Sequence, residues 1–546
     1  MKLASLIGLA AASSGGRLIA LAAGLLSMSG GDSARSQGPE HLEETEPPGH
    51  LEQMELVDLI KRGRGHEAFE LAFEHGDEMF ETVFTAADGV GANIGNGAIF
   101  TRVPRADLSG PGEWARHRPM RITGPNAAAC NGCHNKPEDD GAGGIEVNVV
   151  RDPHQTGDAA FYIERNTPHL FGAGAIQRLA EEMTSELQAQ RRQVKEAACA
   201  SAKRQSMPLQ AKGINFGTLT ALPIRRQPCN VDFDESAVKG VDSDLVIRPF
   251  RWKGADVTLR AFVREAANNE LGLQAVELVG RGVDGDFDGV VNELSIGDVS
   301  ALEVYVAAQP RPVTRVELAK HGVIDPMTPQ ERDTIRRGEE LFSKIGCEQC
   351  HLPSLKIDDP TFSTPSQNPL YRDAVFPGGL HPRAEGVDPT RSVSYDLTHD
   401  LPDNVILTAS GEEVRLGVFA THPEGGAVIP LYADLKRHDM GPELADGVDE
   451  TGTGPSVWLT RPLWGVGSTD PYLHDGRATT LDEAILAHGG EAAAARAAYG
   501  ALGEAERVQI IAFLENMVLF RTLEDEEDER EEEEGLEGEE KREGLD

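Results

Sequence analysis

Two five-residue strings constrain this chain more than anything else in it: Cys130-Asn-Gly-Cys133-His134 and Cys347-Glu-Gln-Cys350-His351. Thiols three positions apart can add across the two vinyl groups of a haem, and the histidine that follows then faces the iron as proximal ligand. A four-ligand zinc site made from two Cys-x-x-Cys pairs is the competing reading. It leaves unexplained why a histidine follows both pairs at once, and why the pairs sit far apart in matching surroundings. A thioredoxin-like dithiol needs only one pair. The strings therefore predict two covalently bound haem c groups. Cys199 and Cys229 are left over, and an oxidising compartment favours a disulfide between them over two buried thiols.

The surroundings match because the chain reads as a duplication. Gly76-Asp-Glu-Met-Phe80 echoes Gly338-Glu-Glu-Leu-Phe342, and Thr167-Pro-His-Leu-Phe-Gly-Ala-Gly174 echoes Thr460-Arg-Pro-Leu-Trp-Gly-Val-Gly467. Each pair brackets one Cys-x-x-Cys-His, so three similarities fall in the same order. In the second copy Thr328 is an N-cap, Pro329 the first helical residue and Glu331 the reciprocal cap. Ile335, Gly338, Phe342 and Ile345 then share one stripe. A glycine in that stripe lets another helix cross closely. The expected partner is 504–518, whose Ile510, Phe513, Leu514 and Met517 form a stripe of their own. The expected fold is mainly α. An N-terminal cytochrome-c-like domain covers 58–235, an irregular bridging segment 236–313 and a C-terminal cytochrome-c-like domain 314–520.

The two ends carry other signals. Lys2, apolar runs over 3–12 and 18–26, and the Ser/Gly-rich chain after them describe a secretory leader over 1–37. The second run is too short to cross a bilayer, which takes about 20 residues. A disordered linker is expected over 38–57, and no later stretch is apolar enough to span a membrane. The mature chain is thus expected to be soluble and periplasmic or extracellular, the side of the bacterial membrane on which haem c is attached. Lys plus Arg number 52 against 90 Asp plus Glu, a net charge of −38. Such a balance excludes gripping nucleic acid or anionic lipid as the main task. Part of it is local: from Leu523 to Asp546 fifteen carboxylates face three basic side chains, which predicts a disordered acidic tail over 521–546. The rest would steer a basic partner.

Asp284-Gly-Asp286-Phe-Asp288-Gly289-Val-Val-Asn292-Glu293 alternates carboxylates with a turn glycine, and so sets hard oxygens around one point as Ca²⁺ requires. It departs from the EF-hand, since position 12 is Ser295 and the acid falls at position 10; an acidic surface turn is the alternative. What lies opposite each iron decides function, because an open axial face admits peroxide or oxygen and a second protein ligand makes an electron carrier. In the second half Thr480 and Glu483 cap a helix that Gly489-Gly490 end, which makes His488 a candidate ligand on its last turn. Met440, in His438-Asp-Met440-Gly441, is its rival. The first half holds Lys195 at the spacing that corresponds to His488, so its haem is expected to be the reactive one.

The runs His438-Asp-Met-Gly-Pro-Glu-Leu-Ala-Asp446, Arg461-Pro-Leu-Trp-Gly465, Leu473-His-Asp-Gly-Arg477 and Glu483-Ala-Ile-Leu-Ala-His-Gly-Gly-Glu491 resemble the di-haem oxidoreductase family, which is related to bacterial di-haem cytochrome c peroxidases. The resemblance covers roughly 58–520. In those peroxidases the sixth ligand of the electron-transfer haem lies about fourteen residues past the His of His-Asp-Gly. Here that position is His488 rather than Met, which implies bis-histidine ligation. The resemblance also implies that His154 is a displaceable resting ligand of the first haem, with His169 as rival. By the same route Glu182 becomes the carboxylate that moves a proton between peroxide oxygens, where an amphipathic surface helix is the plain alternative. The peroxidases hold Ca²⁺ between their domains, which supports the Asp284 loop. The implied activity is reduction of hydrogen peroxide by electrons from a small cytochrome or cupredoxin, entering at the His351/His488 haem and reaching the His134 haem. The alternatives are a non-enzymatic electron-transfer di-haem cytochrome and a di-haem oxygenase of an organic substrate.

Overall fold

Helix Gly65–Glu81 crosses helix Ile296–Ala308 so closely that a Cβ on Gly76 would lie 2.4 Å from the Ala301 carbonyl oxygen. Helix Pro329–Lys344 crosses Glu504–Leu514 in the same manner, and a Cβ on Gly338 would lie 1.9 Å from the Gln509 carbonyl oxygen. In each half the phenylalanine four residues further on meets the motif histidine. The Phe80 and His134 rings are 5.9 Å apart, and those of Phe342 and His351 are 6.2 Å apart. The other repeat follows suit: Gly174 backs onto the Ala307 carbonyl and Gly467 onto that of Glu515, at the ends of the same two crossing helices. The sequence echoes are therefore echoes of structure. Helix Ile296–Ala308 is buried along its whole length, yet it comes from the segment expected to be an irregular bridge.

The structure, a computed structural model, describes residues 49–90, 103–104, 127–137, 141–143, 145–150, 162–226, 229–285, 288–399 and 401–520 apart from 403, 404, 409, 448 and 450. The expected leader over 1–37, His154, Asp286 and the acidic tail over 521–546 lie outside the described residues. The described residues fall in one unit by their contacts. No helix among the described residues is long and apolar enough to cross a membrane.

The fold is not mainly α, as the sequence led us to expect, but mixed. Seven small antiparallel sheets accompany the helices among the described residues. One is a meander of Gln205–Ala211, Ile214–Arg226 and Cys229–Val238, packed on the 29-residue helix Ala173–Ser201. Leu209, Phe216, Leu219 and Ala221 are buried with Leu187 and Val194 of that helix. A disulfide joins Cys199 near the helix end to Cys229 at the start of the third strand, with Cα atoms 5.8 Å apart. Between the second motif and helix Leu481–Ala487, short strands such as Arg437–Asp439 and Val457–Leu459 pair around long irregular connections. Strands of two to four residues offer too few positions for alternation to show in a sequence.

The halves are stitched by buried polar contacts. Arg165 pairs with Asp446 at 2.8 Å, and both side chains are mostly buried. The Asn166 backbone N–H donates to the His474 carbonyl at 2.8 Å, and Trp252 Nε1 donates to the Asn166 carbonyl at 2.8 Å. Two outcomes follow from this packing. Gly338→Ala is expected to cost about 1–3 kcal/mol by overpacking the helix crossing, read as a lower denaturant midpoint with an unchanged slope. Asp446→Asn takes the carboxylate away from the mostly buried Arg165 and is expected to destabilise the protein by about 3 kcal/mol in the same measurement.

Candidate functional site

At the end of helix Pro329–Lys344 the chain turns through Gly346, at φ 97°, a left-handed conformation suited to glycine. The turn folds the motif back on itself, and the His351 N–H donates to the Cys347 carbonyl at 3.0 Å. The first motif closes in the same way, with His134 N–H on the Cys130 carbonyl at 3.0 Å. The four motif cysteines form no disulfide. Cys347, Cys350 and His351 line a cavity of about 350 Å³, and so do Met440 and His488. This is the size range of cavities that hold sizeable ligands.

The two histidines are presented alike. His351 Nδ1 donates to the Tyr432 carbonyl at 3.0 Å, and His488 Nδ1 donates to the Ala484 carbonyl at 2.7 Å. Donation from Nδ1 leaves Nε2 with its lone pair, the tautomer a metal takes. Burial, then the neighbouring His488, pulls the pKa of His351 down to about 4, and burial lowers that of His488 as well. Both are neutral at ordinary pH, as metal ligation requires. His488 follows helix Leu481–Ala487 as its C-cap, and the capping box of Thr480 and Glu483 fixes where that helix starts.

His438 differs. Its Nε2 lies 2.9 Å from Asp434 Oδ2 and its Nδ1 lies 2.9 Å from Glu491 Oε2. Burial opposes the charge, but the Asp434 carboxylate raises the pKa, and with a carboxylate at each nitrogen the ring is held as an imidazolium. Cys350, Asp434 and His438 are the one group of three such ligand-type side chains that converges among the described residues. Cys350 and His438 line the cavity, and Asp434 is buried beside them, bound to His438. The sequence reading missed Asp434 and Glu491 as the partners of His438, and only their position in space reveals them.

In the first half His134 Nδ1 donates to the Gly141 carbonyl at 3.1 Å, and burial pulls its pKa down to about 4. His169 Nε2 donates to the Trp464 carbonyl at 2.9 Å, whereas its Nδ1 is buried with no hydrogen-bond partner among the described residues. Burial, then Arg461, takes its pKa down to about 3. Glu182 does not join this group. Its carboxylate accepts from the backbone N–H groups of Asp358 and Asp359 at 2.8 and 2.9 Å and pairs with Lys212 at 2.6 Å. It clamps helix Ala173–Ser201 to the 358–359 turn.

The Asp284 loop spends its described side chains on its own backbone. Asp284 accepts from the Gly289 N–H at 3.1 Å, Asp288 from the Val290 N–H at 2.8 Å and Asn292 from the Gly282 N–H at 2.6 Å. Glu293 turns inward to the Gln274 N–H at 2.7 Å.

Arg461 also lines the cavity and was not singled out from sequence as a site residue. A signal was there: within the repeat, Arg461 stands where the first copy has Pro168.

Comparison with known proteins bears on this half. No curated protein matches the chain. Among solved structures, a hydrazine synthase of Kuenenia stuttgartiensis pressurised with xenon is similar at 15% identity, covering 45% of this chain and 71% of that one, with a TM-score of 0.21. A MauG-like protein associated with microbial copper homeostasis is similar at 17% identity, covering 49% and 68%, with a TM-score of 0.22. Neither likeness is close enough to carry an argument. The family model described as "Di-haem oxidoreductase, putative peroxidase" matches residues 417–517. The match takes in Met440, the Arg461–Gly465 and Leu473–Arg477 runs and His488, so over 417–517 the chain is similar to that family.

Proposed function

We propose that this protein is an exported di-haem c-type oxidoreductase that reduces hydrogen peroxide to two waters, taking up two protons and two electrons from a small cytochrome or cupredoxin. One observation carries the reading. His351 and His488, from opposite ends of the second half, line the same cavity as Cys347 and Cys350, and a backbone carbonyl fixes each imidazole as a neutral donor. This donor set fits a haem c, with two thiols for its vinyl groups and two imidazoles for its iron. Haem c, when bound, supplies electron transfer, and peroxide reduction where an axial position is open.

Cys347, Cys350, His351 and His488 would hold the second haem as a carrier. Met440 stays the rival ligand, on the cavity wall. Cys130, Cys133 and His134 would hold the first, with His154 or His169 as its resting sixth ligand. The tautomer locks at Tyr432, Ala484 and Gly141 keep the three ligand rings oriented. The acidic surface would attract a basic donor, so turnover should fall with ionic strength.

Mass spectrometry of the mature protein should find two covalently added haems, one lost in a Cys347→Ser/Cys350→Ser variant. In electron paramagnetic resonance, His488→Ala should turn one low-spin haem high-spin and leave the other unchanged, and His488→Met should raise one midpoint potential. Peroxide turnover with a basic small cytochrome no faster than that of free haem would rule out the peroxidase; two haems that stay low-spin on half-reduction would then favour an electron carrier.

A further inference from the structure

Arg461 lines the cavity that holds Cys347, Cys350, His351 and His488 and whose wall also takes in Asn166–His169 of the first half, and among the described residues no acid answers it. Its guanidinium makes no hydrogen bond or ion pair there; it lies over the Trp252 ring, 5.5 Å from the centroid. Stacking uses the flat face of the fork and leaves its edge N–H groups to point elsewhere. The other arginine on the cavity wall, Arg496, pairs with Glu443 at 3.2 Å. The cavity's one carboxylate, Glu491, is engaged with His438. Burial pulls the pKa of Arg461 down to about 10, which still leaves it charged at neutral pH. Arg461 is half-buried at the cavity wall, and a cation that becomes enclosed without a counter-charge is expensive. A group that fills the cavity and carries an anion would answer it.

We propose that Arg461 anchors a propionate of the haem held by Cys347, Cys350, His351 and His488, its guanidinium fork taking the carboxylate through two parallel N–H bonds. The inference rests on the haem reading above. A planar fork suits bidentate carboxylate binding, and charge-assisted pairs of this kind are the strong ones. Neutralising the propionate removes negative charge from beside the iron, which favours the reduced state. The first copy carries Pro168 at this position, so the device belongs to the second haem alone and sets the two haems apart.

The test is a redox titration of the full holoprotein. Arg461→Gln, with both haems attached, is expected to shift the reduction equilibrium of the bis-histidine haem about tenfold toward the oxidised form, about 59 mV for one electron. The first haem should hold its potential, and Arg461→Lys, which keeps the charge, should recover most of the loss. Unchanged potentials in Arg461→Gln overturn the anchor and leave the haem reading intact. A wild-type chain with no covalent haem at Cys347 and Cys350 overturns that reading and the anchor with it. If Arg461→Gln does not accumulate, the propionate-bending band in the resonance Raman spectrum decides between wild type and Arg461→Lys. A shift supports the bidentate pair, and identical bands overturn it.

Discussion

Backbone-on-backbone contact at two helix crossings is the constraint from which the rest of this molecule follows. With no side chain at Gly76 or Gly338, each helix lies directly against the carbonyls of its partner. That approach sets where the next turn of the helix points, and the next turn carries the phenylalanine that packs on the motif histidine. The motif cannot be placed before the crossing is made. Close packing also transmits error, because a helix pushed outward by one methyl group would carry Phe342 and the ring of His351 with it.

The second constraint is electrostatic. His351, His488 and His134 are half-buried, and desolvation lowers the pKa of each, which favours the neutral ring. Each ring meets this by staying neutral and giving its one N–H to a carbonyl. His438, a short distance away, takes the other solution: it keeps its charge and surrounds it with two carboxylates. Two histidine chemistries therefore coexist on one cavity wall, separated by whether the backbone or an acid supplies the partner. Arg461 fits neither: it meets no carboxylate among the described residues and lies over the Trp252 ring.

The runs of the second half that resemble the family divide between chemistry and construction. His488 faces the cavity through a short capped helix. Leu473 and His474 line the same cavity, and their run also makes structural contacts. His474 stacks on Trp458 at 3.8 Å, its carbonyl receives the Asn166 N–H, and Arg477 closes onto Asp475. The run ties the second half to the strand that carries Arg165 and Asn166, so a stretch that carries the family resemblance also works as a joint between the halves.

The sequence by itself determined what is local or repeated. The two Cys-x-x-Cys-His strings, the capping boxes at Thr328 and Thr480, the helix crossing at Gly338 and the candidacy of His488 all depend on spacings of a few residues, and the order of the repeats carried them from one half to the other. The sheets were not legible, because most of their strands run for two to four residues and their pairing is set by distant partners. The helix Ile296–Ala308 went unread for a related reason: it is apolar nearly all round, and a helix buried on every side has no polar face to betray its period. The partners of His438, the clamp on Glu182 and the unanswered charge of Arg461 were decided by tertiary structure alone. Each is a statement about which charges meet across tens or hundreds of residues, and a charge on its own cannot say what the fold will set beside it.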